Sequence, residues 1–155
     1  MPTKRNVLTY GTFDLFHIGH LRLIQKILKL GDSLIVGVST DEFNDIKGKK
    51  CMMPFEHRAD IVGSIKGVDF VIPEQTWEQK INDIKMHSID VFAIGDDWKG
   101  KFDYLKEYCE VVYLPRTEGI STTQIKKTLN GITPEFKQNL NEVIGLMEIL
   151  KNQVH

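Results

Sequence analysis

The 155 residues carry 41% hydrophobic and 26% charged side chains, an ordinary composition for one domain that buries roughly two-thirds of its unfolded surface. A formal net charge of -1 gives no general electrostatic reason for a nucleic acid or membrane partner, and no apolar run approaches membrane-spanning length. The two cysteines, Cys51 and Cys109, are too few for a disulfide scaffold or a zinc knuckle; with no charged-then-apolar leader at the start, the expected compartment is the cytoplasm.

In chain order, a β-branched run predicts a first strand over 7–10, followed by Gly11-Thr12-Phe13-Asp14-Leu15-Phe16-His17-Ile18-Gly19-His20. A helix is expected over 18–30, closed by Gly31. His17 and His20, at i and i+3, share one face of its first turn, so both imidazoles reach one phosphate. Gly19 between them keeps side-chain bulk away. Two ligands alone make a poor metal site, and no third lies at helical spacing. Capping by one histidine, with the other solvated, is the competing structural reading.

A second strand spans 34–38. Ser39-Thr40-Asp41 then caps a short helical turn, and a basic loop with Lys47, Lys49 and Lys50 runs to Phe55. After a strand, such a loop closes over a triphosphate and offsets charge that grows in the transition state. A helix is expected over 56–66. In it Arg58, beside Glu56 and His57, reads as a structural ion pair or a subunit contact.

A third strand over 70–72 ends at Pro73, and a helix follows over 77–87. A fourth strand over 91–94 enters Gly95-Asp96-Asp97-Trp98, whose carboxylates suit ribose hydroxyls or a hydrated metal ion. A fifth over 110–114 stops at Pro115. Residues 116–122 then place Arg116, Gly119, Ser121 and Thr122 at a helix start, a fork plus hydroxyls for one anion. Helices over 122–129 and from Pro134 to near 150 complete the chain.

This alternation predicts an α/β fold, a Rossmann-like doubly wound sheet of five parallel strands with helices on both faces, plus a C-terminal helix. Residues 1–130 form the expected nucleotide-binding domain and 131–155 its helical extension. The unusual segments all follow strands and are expected to converge on one cleft. Neither a Walker loop nor a dinucleotide glycine fingerprint is present, which leaves phosphoryl or nucleotidyl transfer by positioning and charge.

The histidine motif and the Arg116 to Thr122 segment together resemble the double signature of the cytidylyltransferases, in the HxGH nucleotidyltransferase superfamily. Ser39-Thr40-Asp41-Glu42-Phe43-Asn44, Trp77-Glu78-Gln79-Lys80, Gly95-Asp96-Asp97-Trp98 and Glu110-Val111-Val112-Tyr113-Leu114-Pro115 extend the resemblance across residues 6–130. It implies transfer of CMP from CTP to sn-glycerol 3-phosphate without a covalent enzyme intermediate, feeding teichoic-acid-like or capsular polymer synthesis.

The resemblance further implies that His17, His20, Lys47, Lys49, Lys66 and Arg116 are catalytic. Thr12, Phe13, Gly19, Gly95, Asp97, Arg116, Ser121 and Thr122 would bind the nucleotide. Asp41, Trp77, Lys80 and His87 would lie near the acceptor. Mg²⁺ would arrive with CTP, and the assembly would be a homodimer.

Lys66 stands where relatives usually carry an arginine, keeping the charge but losing the bidentate fork. Ile18 replaces a bulkier residue. Leu140, Ile144, Met147 and Leu150 suit packing on the domain or on a second subunit. Alternative readings are another phosphorylated alcohol as acceptor (ethanolamine phosphate or a polyol phosphate), adenylyl transfer, or a nucleotide-binding module without turnover.

Overall fold

Alternate residues of the first strand enter two different cores, which is why helices cover both faces of the sheet. The computed structural model describes residues 3–131 and 134–153. Strands β1 (Asn6–Gly11), β2 (Ser33–Ser39), β3 (Val68–Glu74), β4 (Val91–Gly95) and β5 (Glu110–Leu114) pair in the order β3-β2-β1-β4-β5, every neighbouring pair parallel. The helices are α1 (Ile18–Leu28), α2 (Asp41–Ile46), α3 (Phe55–Gly63), α4 (Gln79–Met86), α5 (Thr122–Gly131) and α6 (Pro134–Gln153).

Val7, Leu34, Val36, Val38, Val91 and Ala93 point to one face and pack against Ile24 and Ile27 of α1 and Val62 of α3. Leu8, Tyr10, Ile35, Phe92 and Ile94 point to the other, against Ile84 of α4 and the segment holding Phe102 and Leu105. The doubly wound α/β sheet expected from the sequence is therefore present. After β3 the chain returns to place β4 beside β1, and this reversal opens a crevice beyond the carboxyl ends of the central strands.

Element ends differ from the sequence expectation where tertiary context wins. Pro73 does not end β3; it pairs with Val38 inside the strand, and Glu74 follows opposite Ser39. β3 is an edge strand, where a missing N–H is tolerated. The helices expected over 56–66 and 77–87 close earlier, at Gly63 and Met86.

The chain divides into two compact units, Met1–Gly119 and Ile120–His155. The first holds the sheet and α1–α4, and the second holds α5 and α6. The division follows Gly119, whose φ of +82° turns the chain, and so precedes α5. The expected boundary at 130/131 lies inside the second unit. Of the expected extension, Ile132, Thr133, Val154 and His155 lie outside the described residues.

One buried cation ties the strand ends together. Arg58, fully buried on α3, donates from Nη1 to the carbonyls of Thr12 (2.8 Å) and Ser39 (2.7 Å). It also donates from Nη2 to Asp41 Oδ1 (2.7 Å) and from Nε to the Met53 carbonyl (3.0 Å). The ends of β1 and β2, the start of α2 and the basic loop are thus joined by one planar group. Arg58→Leu is expected to lower unfolding free energy in urea by about 3 kcal/mol or more, since four acceptors lose a buried charged partner. A loss below about 1 kcal/mol would show that these segments are held otherwise.

Candidate active site

The β1–α1 loop is shaped by strain and by one carboxylate. Phe13 (φ +54°) and Leu15 (φ +48°) both adopt left-handed backbone, a cost of order 1–2 kcal/mol each for non-glycine residues. Asp14 between them is buried and accepts from the backbone N–H groups of Met52 (2.8 Å), Met53 (3.0 Å) and Leu15 (3.2 Å). The loop is thereby locked to the basic segment. Gly11 is required here, because a Cβ would lie 2.7 Å from the Phe13 ring.

At the end of this loop His17 caps α1. Its Nδ1 accepts from the Gly19 N–H (3.0 Å), while His20 Nδ1 accepts from the His17 N–H (3.2 Å). An Nδ1 that accepts leaves the proton of a neutral imidazole on Nε2, so each ring carries an Nε2–H donor. The rings stack 3.9 Å apart, with Phe13 and Phe16 against His20. Burial lowers the basicity of His17. His20 is pushed down to about 4, by burial first and then by its neighbour His17. The capping and phosphate readings of the pair are compatible: the Nδ1 atoms cap, and the Nε2 atoms carry the donors.

The basic loop contributes a partly buried charge network. Lys47 is a buried side chain, unlike a solvated loop residue: its Nζ lies 3.0 Å from Ser39 Oγ, 3.7 Å from Glu74 Oε1 and 4.5 Å from the Phe43 ring centre. Burial pushes it down to about 8, against the opposing pull of Glu74. Lys80, also buried, donates to Glu74 Oε2 at 2.7 Å, with the rings of Tyr10, Trp77 and Phe102 around its ammonium. Trp77 meets Phe43 edge-on and lies near Trp98, over which Lys49 reaches. Asn44 joins the network to β1, accepting from Thr12 Oγ1 (3.1 Å).

Beyond β4, Asp97 and Arg116 form an exposed ion pair at 2.7 Å. Gly95 makes room for it, since a Cβ would lie 2.7 Å from Asp97 Oδ1. Burial pushes the Asp41 carboxyl up, but the Phe55 N–H and Arg58 outweigh it and hold Asp41 below the usual carboxylate range.

At the carboxyl ends of the first unit's strands, the structure brings together Thr12, Phe13, His17, Gly19, His20, Asp41, Lys47, Lys49, Trp77, Lys80, Gly95, Asp97 and Arg116. Gly19 spends its own N–H on His17. Ser121 and Thr122 belong to the second unit, where Ser121 Oγ caps α5 through the Gln124 N–H.

Two of the expected site residues lie elsewhere in the fold. Lys66 lies past the end of α3 and before β3, at the amino edge of the sheet, and α3 stops short of it. His87 caps the carboxyl end of α4, its carbonyl accepting from Asn6 Nδ2 at the start of β1. Both positions therefore lie at the sheet edge opposite the crevice. Sequence reasoning missed Asp14 and Glu74 and took Arg58 no further than an ion pair or contact. The one available signal was their position just after or beside strand ends.

Residues 8–128 match the family model described as cytidylyltransferase-like. The chain is 65% identical over 128 residues to the glycerol-3-phosphate cytidylyltransferase of Bacillus spizizenii, covering 83% of this chain and 99% of that protein. It is 59% identical, with the same coverage, to the enzyme of that name from Bacillus subtilis. A solved structure described as a lipopolysaccharide core biosynthesis protein from Thermoplasma volcanium shares the fold, with a TM-score of 0.65, 24% identity, and coverage of 75% of this chain and all of that one.

The His20 environment has a pH consequence. Unfolded, the residue takes a proton below about 6.5; folded, it resists until about 4. Between these values the unfolded chain binds more protons, so stability falls as pH drops through that window. His20→Asn, which keeps an acceptor for the His17 N–H, is expected to lose less thermal midpoint across that window than wild type. Equal acid-side slopes for the two proteins would contradict the assignment.

Proposed function

The chain belongs to the cytidylyltransferase-like family, and from that premise we propose that it transfers CMP from CTP to sn-glycerol 3-phosphate, releasing CDP-glycerol and pyrophosphate. It is a nucleotidyltransferase. The observation that carries the reading is the histidine pair. Both Nδ1 atoms are anchored on backbone N–H groups and both Nε2 atoms carry protons, in a chain 65% identical to a relative named for this reaction.

The chemistry is a single in-line displacement. An oxygen of the acceptor phosphate attacks the α-phosphorus of CTP, the new P–O bond forms as the α–β bridging bond breaks, and pyrophosphate leaves. No enzyme atom becomes bonded to phosphorus. His17 and His20 donate from Nε2 to the triphosphate and to charge developing on the pentavalent centre, acting as neutral donors in place. Lys49 and Arg116 supply positive charge toward the leaving group. Thr12, Phe13, Gly19, Gly95 and Asp97 are assigned to the nucleotide, as the family resemblance also assigns Ser121 and Thr122, and Asp41, Trp77 and Lys80 to the acceptor. Lys47, expected from the sequence to clamp the triphosphate, is placed with the acceptor because it shares Glu74 with Lys80.

Among the described residues no three histidine, cysteine or carboxylate side chains converge as a metal cage. Mg²⁺ is proposed to arrive with the nucleotide, carried on its phosphate oxygens. Among the described residues no helix is long and apolar enough to cross a membrane, and the cytoplasm is the proposed compartment. A homodimer is the proposed assembly: Leu140, Ile144, Met147 and Leu150 line one side of α6 and are exposed. Light scattering is expected to show two copies, with Leu140→Lys/Met147→Lys weakening association; association unchanged in that variant would remove α6 from the interface.

Pyrophosphate release with Mg·CTP and a panel of acceptors tests the substrate assignment. Turnover is expected with glycerol 3-phosphate ahead of ethanolamine phosphate and polyol phosphates, and with CTP ahead of ATP. Preference for another acceptor would overturn it. His17→Ala and His20→Ala are each expected to lower kcat by about 10²-fold or more, the size of losing one transition-state donor; unchanged kcat in either would remove that ring from the mechanism.

A further inference from the structure

Among the described residues, Glu74 is the one buried carboxylate shared by two buried lysines. It is 3% exposed at the end of edge strand β3. Oε2 takes the Lys80 ammonium at 2.7 Å, and Oε1 takes the Ser39 hydroxyl at 2.6 Å, with Lys47 Nζ at 3.7 Å. Ser39 Oγ in turn accepts from Lys47 Nζ at 3.0 Å. The hydroxyl and carboxylate together fix both ammonium groups, and Tyr10, Trp77 and Phe102 wall in that of Lys80.

Two lysines and one glutamate leave this enclosure with one positive charge in excess. Without the carboxylate, two buried like charges would repel and one would shed its proton. With two carboxylates the enclosure would reject an anion. The arrangement suits a doubly charged phosphate monoester.

We propose that Glu74 is the positioning residue of the acceptor site, holding the Lys47 ammonium in place so that it grips the phosphate of a phosphorylated alcohol, with buried Lys80 bracing the carboxylate. This role rests on the acceptor assignment made above for those lysines. Glu74 itself does not touch the α-phosphorus and takes no proton in the reaction.

The groups facing Lys47 are Glu74 from β3, Lys80 from α4, and Lys49 and Cys51 from its own loop, with Tyr10 of β1 facing Lys80 and donating its hydroxyl to Asp83 of α4. Burial works most strongly against the Lys47 proton; Glu74 and, more weakly, Cys51 support it, while Lys49 and Lys80 oppose it. Removing the Glu74 charge therefore moves Lys47 deprotonation to lower pH.

The test is steady-state kinetics of Glu74→Gln, Glu74→Asp and Ser39→Ala across pH, with CTP affinity read separately by tryptophan fluorescence. Glu74→Gln is expected to lower kcat/KM for glycerol 3-phosphate by about 10²-fold at neutral pH, mainly through KM, with CTP affinity near wild type. The alkaline limb of its kcat/KM profile is expected to move to lower pH. Glu74→Asp keeps the charge and is expected to restore the position of that limb while KM stays raised. Ser39→Ala is expected to raise acceptor KM alone, and with Glu74→Asp it decides the matter if Glu74→Gln does not fold.

An unmoved alkaline limb and unchanged acceptor KM, or an equal loss of CTP and acceptor affinity, would overturn the proposal. If wild type makes no product from glycerol 3-phosphate, it is the acceptor reading that fails. The same variants are then read with whichever phosphorylated alcohol wild type uses.

Discussion

The geometry of this molecule depends on a guanidinium that water never reaches. Arg58 carries a full charge at zero exposure, a state that survives only when its donors are satisfied. The acceptors that satisfy it are the carbonyls of Thr12, Ser39 and Met53 and the carboxylate of Asp41. Three of these acceptors are main-chain atoms at places where the chain leaves regular structure, and where carbonyls would otherwise need water. The cation and the loop ends thus solve each other's burial. A lysine would bring the charge without the planar fork that reaches several segments at once.

From that clamp the site follows in steps. With the ends of β1 and β2 fixed, Asp14 holds the strained loop against Met52 and Met53, so the histidines start α1 at a defined angle to the basic segment. With Ser39 fixed, its hydroxyl sits between Lys47 and Glu74. The donors and cations are in place before substrate arrives, and little reorganisation is left for the reaction itself. Preorganised charge of this kind is what the proposed reaction asks of a protein, because in it the bond changes occur entirely between substrates.

Much of this could be read from the chain, and the misses share a cause. The sheet was legible because strand segments such as Leu34 to Val38 are apolar on both faces, and parallel sheets are covered on both. The histidine loop was legible because its glycine and imidazoles sit between a strand and an amphipathic helix. Arg58 was underrated because it sits beside Glu56 and His57 and looks like a surface residue. Its partners are main-chain carbonyls, which every residue possesses and no sequence pattern displays. Glu74 and Lys80 are separated by a loop, so neither helical nor strand spacing pairs them. Lys66 and His87 stand at the carboxyl ends of the expected helices, and a spacing pattern does not say which edge of the sheet such an end reaches. The helices stop at Gly63 and Met86, three residues and one residue short of the expectation, and the carboxyl end of a crossover helix lies at the amino edge of a parallel sheet in either case.

The central claim is that the protein positions two substrates and never bonds to either. Its most direct test is the configuration at phosphorus when a single diastereomer of the α-thio analogue of CTP is turned over with glycerol 3-phosphate. One in-line displacement predicts inversion at the α-phosphorus in the CDP-glycerol analogue. Retention would require two displacements through a nucleotidylated enzyme group, and would contradict the account.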